Sequence, residues 1–313
     1  MLTKGAHDAY GRCDSTRQQG DVRWLGVEPD SVLDGQRDLG LTTQTLGSRV
    51  HYLRSVDSTS SALRALAERG AEAGTVVLAD EQTGGRGRSG RAWFSPDGLG
   101  VWMSVLHESA LPAGRLAPLS IAAAVSVAAA LGEFTGLDVR VKWPNDLLVG
   151  GRKLGGFLLE SVETEGGARR VVLGSGVNVG VTEDDLPKEL LGAATSLSME
   201  LGRPVARLDV LRVVARALED CFESYELECM VGFRERWRAL SSTLGREVTV
   251  APGTVGEASG PLFTGTVTGL AESGALVLRF ASGGTREIWF GDVTLRPADD
   301  TPPAGRAIER TGR

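Results

Sequence analysis

Cysteine is scarce in this chain of 313 residues. Cys13, Cys221 and Cys229 are odd in number, form no CxxC pair and have no histidine set beside them. That argues against a disulfide framework or a zinc site and suits a reducing compartment, so a cytoplasmic protein is expected. Histidine is as rare: His7, His51 and His107 sit outside every motif described below. Neither a Ser–His–Asp nor a Cys–His catalytic set is therefore in view. Positive charge is not in excess, with 34 Lys and Arg against 40 Asp and Glu, a formal net charge of −6 and a pI near 5.3. A surface that binds DNA over its whole extent needs clustered cations, so no DNA partner is expected. Long apolar runs are also missing. Leu119 to Leu131 is the most apolar stretch, alanine-rich with two serines, and is too short to cross a bilayer. The opening MLTKGAHDAYGRCDS lacks the apolar centre of a signal peptide. No internal repeat is seen, and no GxxxxGK[ST] phosphate loop.

What is present is an ordinary globular composition, 42% hydrophobic and 24% charged. The length suits one catalytic unit of about 200 residues and a smaller second unit. Residues 1–46 are polar and weakly periodic, an ill-defined N-terminal extension with one short helix over Ser31 to Leu39. From 47 to 243 the pattern sharpens. Strands are expected at Val50–Leu53, Thr75–Ala79, Gly100–Leu106 and Val139–Trp143. A hairpin turns at Gly150-Gly151, and Arg169–Val181 adds another strand. Helices are expected after the Asp57-Ser58-Thr59-Ser60 cap signal, over Arg115–Phe134, over Leu208–Met230 and over Gly232–Leu240. Residues 244–297 alternate in short strands with glycine-rich turns, a small β-barrel. Residues 298–313 are rich in proline and charge, a disordered tail.

Four segments carry chemistry. The first, Gln82 to Arg91, reads QTGGRGRSGR. Glycines let its backbone approach a ligand closely, and Arg86, Arg88 and Arg91 hold permanent charge with no acid inside the segment. Such a loop repels itself until an anion arrives, and guanidinium groups suit carboxylate and phosphate. Taken alone, a solvated loop explains it equally well. The second is Lys142-Trp143-Pro144-Asn145-Asp146 followed by Arg152-Lys153-Leu154-Gly155-Gly156. Pro144 ends strand pairing, and the short hairpin returns Lys153 beside Asp146. The third, Gly174-Ser175-Gly176-Val177-Asn178, is a glycine-kinked strand. The fourth is the Asp57–Ser60 cap, whose N–H groups would also accept a neutral polar ligand.

In this order and spacing, GRGRSGR with Trp93 after it, KWPND with RKLGG after it, and GSGVNV resemble the bacterial biotin–protein ligases, over about Asp57 to Arg296. The resemblance implies an α+β fold. A mixed or antiparallel sheet with flanking helices, like that of class II aminoacyl-tRNA synthetases, would carry a small SH3-like C-terminal barrel. It implies a two-step reaction using ATP and Mg²⁺: biotin becomes biotinyl-5'-AMP and is passed to a lysine of a biotin carboxyl carrier protein. By the same resemblance Ser58, Thr59, Ser60, Gln82, Gly85, Arg86, Gly87, Arg88, Lys153 and Gly156 would bind biotin. Arg88, Arg91, Trp93, Asn145, Asp146, Lys153 and Asn178 would line the nucleotide side, with Arg88, Lys153 and Asp146 catalytic. Asp146 would either orient and deprotonate the incoming amine or position Lys153; metal ligands are not assigned.

Two departures stand out. Ala193 and Ala194 occupy a place where some members carry an adenine-stacking tryptophan, and residues 1–46 do not resemble the winged helix of repressor-type members. An exposed sheet edge would serve both a homodimer and the acceptor, though sequence does not locate it. Lipoate–protein ligation is the nearest rival reading; a biotin-responsive repressor and a non-catalytic binding module are the others.

Overall fold

The computed structural model describes residues 28, 30–162, 169–251, 262–289 and 291–295. The expected C-terminal tail and residues 1–27 lie outside them. In chain order the elements are β1 (Ser31–Leu33), α1 (Gly35–Asp38), β2 (Val50–Val56), α2 (Thr59–Glu68), β3 (Val76–Gln82), β4 (Gly100–Ser109), α3 (Ala113–Leu116) and α4 (Leu119–Thr135). Then follow β5 (Arg140–Lys142), β6 (Asp146–Val149), β7 (Arg152–Val162), β8 (Arg169–Asn178), α5 (Leu197–Leu201), α6 (Arg207–Glu228) and α7 (Val231–Leu240). The last five strands are β9 (Glu247–Ala251), β10 (Phe263–Leu270), β11 (Leu276–Arg279), β12 (Thr285–Ile288) and β13 (Asp292–Leu295).

Eight strands form one sheet in the order β1-β2-β3-β4-β8-β7-β6-β5. Only β2 and β3 run parallel, so the sheet is mixed, as the α+β reading expects. Alternation along β4 sorts its side chains onto two faces. Val101, Met103 and Val105 enter the main core with α4 and α6, whereas Leu106 joins Leu63 and Ala67 of α2 on the opposite face. The apolar helical stretch Ala113–Thr135 is longer than the apolar run read from sequence and long enough to cross a membrane. Here Ala122, Ala123, Ala124 and Ala128 sit at zero or near-zero exposure against the sheet and α6, which accounts for the apolar character of that face.

The short helix expected at Ser31–Leu39 is instead a strand followed by a single helical turn. Asp34 caps that turn by accepting from the N–H of Arg37, and β1 pairs antiparallel with β2. Leu39, Leu41 and Leu46 enter the main core, so residues 31–46 are built into the sheet's own unit. Their anchor is Glu219 on α6. Its carboxylate accepts from the backbone N–H groups of Gln44, Thr45 and Leu46 at 2.8–3.1 Å. Burial opposes the charge on Glu219, but these N–H bonds outweigh it and lower its pKa.

The C-terminal strands form an antiparallel sheet in the order β12-β11-β10-β9-β13, an SH3-like unit docked on the first. Trp143 donates its indole N–H to Gly274 O at 3.1 Å, and Arg234 Nε donates to Leu270 O at 2.9 Å. Gly274 has φ +79°, and a Cβ there would lie 2.6 Å from Pro118, so the turn presses on the start of α4.

Glu219→Ala should destabilise the protein by about 2–3 kcal/mol in denaturant unfolding, because three N–H groups lose their acceptor. A carboxylate with a lowered folded pKa stabilises above its unfolded pKa and loses that contribution as pH falls through the folded value. The gap between wild type and variant should therefore close on acidification below about pH 4.

Candidate active site

A cavity opens between the sheet and the N-terminus of α2 because the sheet lacks side chains there. On the α2 face of β8, Gly174 and Gly176 stand two apart, and Gly156 of β7 pairs with Gly176. Ser104 of β4 and Leu158 of β7 face the same side. A Cβ on Gly176 would lie 2.7 Å from the indole nitrogen of Trp93, and one on Gly174 would lie 2.7 Å from Ser60 Oγ. These glycines make room for two specific side chains as well as for a ligand.

One end of the cavity is uncharged. Ser58, Thr59 and Ser60 begin α2 and are buried. The N–H of Thr59 donates to Gln82 Oε1 at 2.9 Å, and Gln82 Nε2 donates to Ser95 Oγ at 2.9 Å. Gln82 ends β3, which is held from below: Tyr52 OH donates to Asp80 Oδ2 at 2.7 Å, and Arg207 Nη2 lies 3.5 Å from Asp80 Oδ1. Burial draws the Arg207 pKa down to about 10, leaving it charged at neutral pH.

The other end carries the charges. The β6–β7 hairpin turns at Gly150 (φ +57°) and Gly151 (φ +81°) and brings Lys153 Nζ to 2.7 Å from Asp146 Oδ1. Lys153 Nζ also lies 5.0 Å from the centre of the Trp93 ring, within cation–π range. Asn145 is buried and donates its side-chain N–H to the carbonyl of Phe157. The segment holding Ala193 and Ala194 runs alongside: Lys153 N donates to Ala193 O, and Thr195 N donates to Lys153 O.

The glycine/arginine segment is not irregular. It folds as a narrow hairpin, with Gln82 paired to Ser95, Arg86 bridged to Ala92 and the Gly87 N–H donating to Arg91 O at 2.8 Å. Its tip turns at Ser89 (φ 56°) and Gly90 (φ +71°). Although the segment has no acid of its own, Glu160 of β7 approaches Arg86 to 3.8 Å, and Arg86 donates to Ser61 Oγ at 2.8 Å. Arg88 Nη1 donates to the carbonyl of Gly291 in the C-terminal unit at 3.3 Å.

Of the residues predicted from sequence, Ser58, Thr59, Ser60, Gln82, Arg86, Gly87, Arg88, Arg91, Trp93, Asn145, Asp146, Lys153 and Gly156 line this single cavity. Gly85 and Asn178 do not. Gly85 accepts the Trp93 N–H at the base of the hairpin, and buried Asn178 donates to Thr195 O at 2.8 Å. Sequence reading missed Ser104 and Glu160 as parts of the site's frame. A serine inside the apolar run GVWMSVL was the available signal for Ser104.

No group here is an activated nucleophile. Burial pushes the Cys221 thiol up to about 12, and His107 pairs with Glu226 at 3.1 Å outside the cavity lining. What the arrangement can do is bind a small molecule with a polar neutral head and draw two anionic groups together.

Gly176→Ala should cost about 1–3 kcal/mol through the clash with Trp93. The penalty should shrink in a Trp93→Leu background, so a double-mutant cycle by denaturant unfolding reads the contact directly.

Residues 52–178 match the sequence model of the biotin/lipoate A/B protein ligase family. The chain is 31% identical over 268 residues to the bifunctional ligase/repressor BirA of Bacillus subtilis, covering 86% of this chain and 80% of that one. It is 34% identical over 247 residues to the biotin–[acetyl-CoA-carboxylase] ligase of Paracoccus denitrificans, covering 76% of this chain and 99% of the relative. Among solved structures, the biotin protein ligase of Aquifex aeolicus in complex with biotin and ATP superposes with a TM-score of 0.66 at 30% identity, over 79% of this chain and 98% of that one. With the hydroxyl-lined head, the Lys153–Asp146 pair and the arginine hairpin in one cavity, this chain belongs to the biotin–protein ligases of that family.

Proposed function

We propose that the protein joins biotin to a lysine of a biotin carboxyl carrier protein, at the expense of ATP. The observation that carries this reading is one continuous cavity whose two ends suit the two ends of biotin. Thr59, Ser60 and Gln82 meet a neutral polar head, and Lys153 with the hairpin arginines meets the carboxylate. In the first step a biotin carboxylate oxygen attacks the α-phosphorus of ATP. The bond from that phosphorus to the bridging oxygen breaks, and pyrophosphate leaves. Both reactants are anions, so fixed cations lower the barrier by neutralising charge as it moves onto the phosphoryl oxygens. Asp146 holds Lys153 at this junction, and Trp93 beneath the ammonium restricts where it can point.

Asp146 is the carboxylate among the cavity-lining residues, and no group of three metal-ligating side chains occurs among the described residues. One carboxylate suits Mg²⁺ that arrives on the nucleotide's phosphates, where the ion supplies further charge neutralisation. In the second step the neutral acceptor amine attacks the acyl carbon of the adenylate, the acyl–oxygen bond breaks, AMP leaves, and the amine nitrogen gives up one proton to water. Ordering of the arginine hairpin over the adenylate keeps water from that anhydride until the acceptor arrives.

The acceptor's route follows the sheet. Past Arg88, Asn145 and Phe157 the cavity continues into a groove along β7 that ends at Arg169 and Arg170. β6 pairs with β7 as far as Gly156, Asn145 takes both backbone groups of Phe157, and beyond Phe157 β7 pairs with β8 alone among the described residues. The other edge of β7 is therefore available for strand addition, by an acceptor or by a second copy of the chain. Net acidity supports a ligase that works without DNA, and scarce cysteine supports a cytoplasmic setting.

Incubation with ATP, Mg²⁺, biotin and a carrier domain should add one biotinyl group to the acceptor lysine by mass analysis. An unmodified acceptor beside a lipoylated one in the parallel lipoate reaction would replace this reading with its rival. Lys153→Ala should lower adenylate formation, read by chromatography of the quenched reaction, at least about a hundredfold. Arg88→Gly should still make adenylate but release it early, labelling bystander lysines; retention equal to wild type would sink the lid role.

A further inference from the structure

One backbone N–H determines the hydrogen-bond polarity of Gln82, Thr59, Ser104 and Ser60 at the neutral end of the cavity. The Thr59 amide can only donate, and it meets Gln82 Oε1 at 2.9 Å. That identifies the oxygen of the Gln82 carboxamide without ambiguity. Thr59 Oγ1 lies 3.1 Å from the same Oε1. A carboxamide oxygen only accepts, so the Thr59 hydroxyl spends its single proton there. The contact between Thr59 Oγ1 and Ser104 Oγ at 2.8 Å must then be a donation from Ser104. With the Ser104 proton used, the 3.0 Å contact between Ser60 and Ser104 must be a donation from Ser60. All of these contacts can form together in only one direction: Ser60 to Ser104 to Thr59 to Gln82. At the other side of Gln82, Nε2 donates one proton to Ser95 Oγ and has one more.

We infer that Ser104, buried at zero exposure on β4, is a positioning residue for biotin specificity. Through this relay it makes Ser60 present a lone pair, never a proton, to the ligand. Gly174 preserves the arrangement, since a Cβ there would stand 2.7 Å from Ser60 Oγ. The cavity thus offers an acceptor at Ser60 and a donor at Gln82, both among its lining residues. That pair matches a ring N–H beside a carbonyl, as in a cyclic urea. A head with oxygen in place of that N–H would set lone pair against lone pair. The inference rests on the biotin reading above.

The test is calorimetric binding of biotin and its two cyclic-carbamate analogues, in each of which one ureido N–H is replaced by oxygen. Wild type should bind one analogue about a hundredfold more weakly than biotin. In Ser104→Ala the Ser60 hydroxyl is released to donate, so biotin itself should weaken about tenfold while the penalty for that analogue falls to about tenfold or less. Thr59→Val, isosteric and still carrying the amide that orients Gln82, breaks the relay elsewhere and should relax the same ratio. A merely structural serine would weaken all ligands alike. Unchanged analogue ratios in either folded variant, or a wild type indifferent to both replacements, would overturn the relay. A wild type that fails to bind biotin at all would instead remove the biotin reading beneath it.

Discussion

Glycine at positions 156, 174 and 176 is the constraint on which the site depends. Elsewhere on the α2 face of the sheet, side chains such as Val77, Leu106 and Val172 fill the space beneath the helix. Where β7 and β8 carry glycine, no side chain can fill it, and the gap is claimed by Trp93 and Ser60. Both functional ends of the cavity rest on this one substitution of space for packing. Trp93 leans over Gly176 and offers its face to Lys153, while Ser60 sits over Gly174 and joins the hydroxyl relay. The lost burial is modest next to the main core on the opposite face, which unites α4, α6 and the C-terminal unit. The stable face of the sheet thus supports an open one.

Charge is distributed by the same logic of separation. The cations come from two hairpins, each turning at its tip through two residues of positive φ. β6–β7 shifts register between Leu147 and Leu148, turns at Gly150 and Gly151 and brings Lys153 to 2.7 Å from Asp146, and the arginine hairpin turns at Ser89 and Gly90. Its arginines find separate contacts: Arg86 toward Glu160, and Arg88 toward the carbonyl of Gly291 in the C-terminal unit. The second of these ties the small unit to the edge of the catalytic mouth. A site with this many fixed cations and no activated nucleophile suits chemistry between two bound anions, in which positioning and electrostatics do what a covalent intermediate does elsewhere.

Much of this was legible in sequence because the governing signals are local. Strand-like runs marked β4 and β8, Gly150-Gly151 marked the hairpin that returns Lys153, and the motif strings marked the cavity walls. What was not legible depends on distant partners. Ser31–Leu33 is a strand only because β2 offers it an edge, and residues 44–46 are ordered by a carboxylate 173 to 175 positions away. The arginine segment reads as self-repelling because Glu160, the group that meets Arg86, lies in another strand. Asn178 sits in a recognised string, yet its side chain turns to Thr195 O, a contact that spacing cannot reveal. Ser104 is a single serine in an apolar strand, and its meaning appears only once α2 is laid across it.

The central claim is that this cavity joins a carboxylate to the α-phosphate of ATP without help from an acceptor. Exchange of labelled pyrophosphate into ATP tests it most directly, since it reports reversal of the first step alone. Exchange should require biotin, proceed with no carrier protein present and stay at background with lipoate. Exchange that is absent with biotin, or equal without it, would contradict the account.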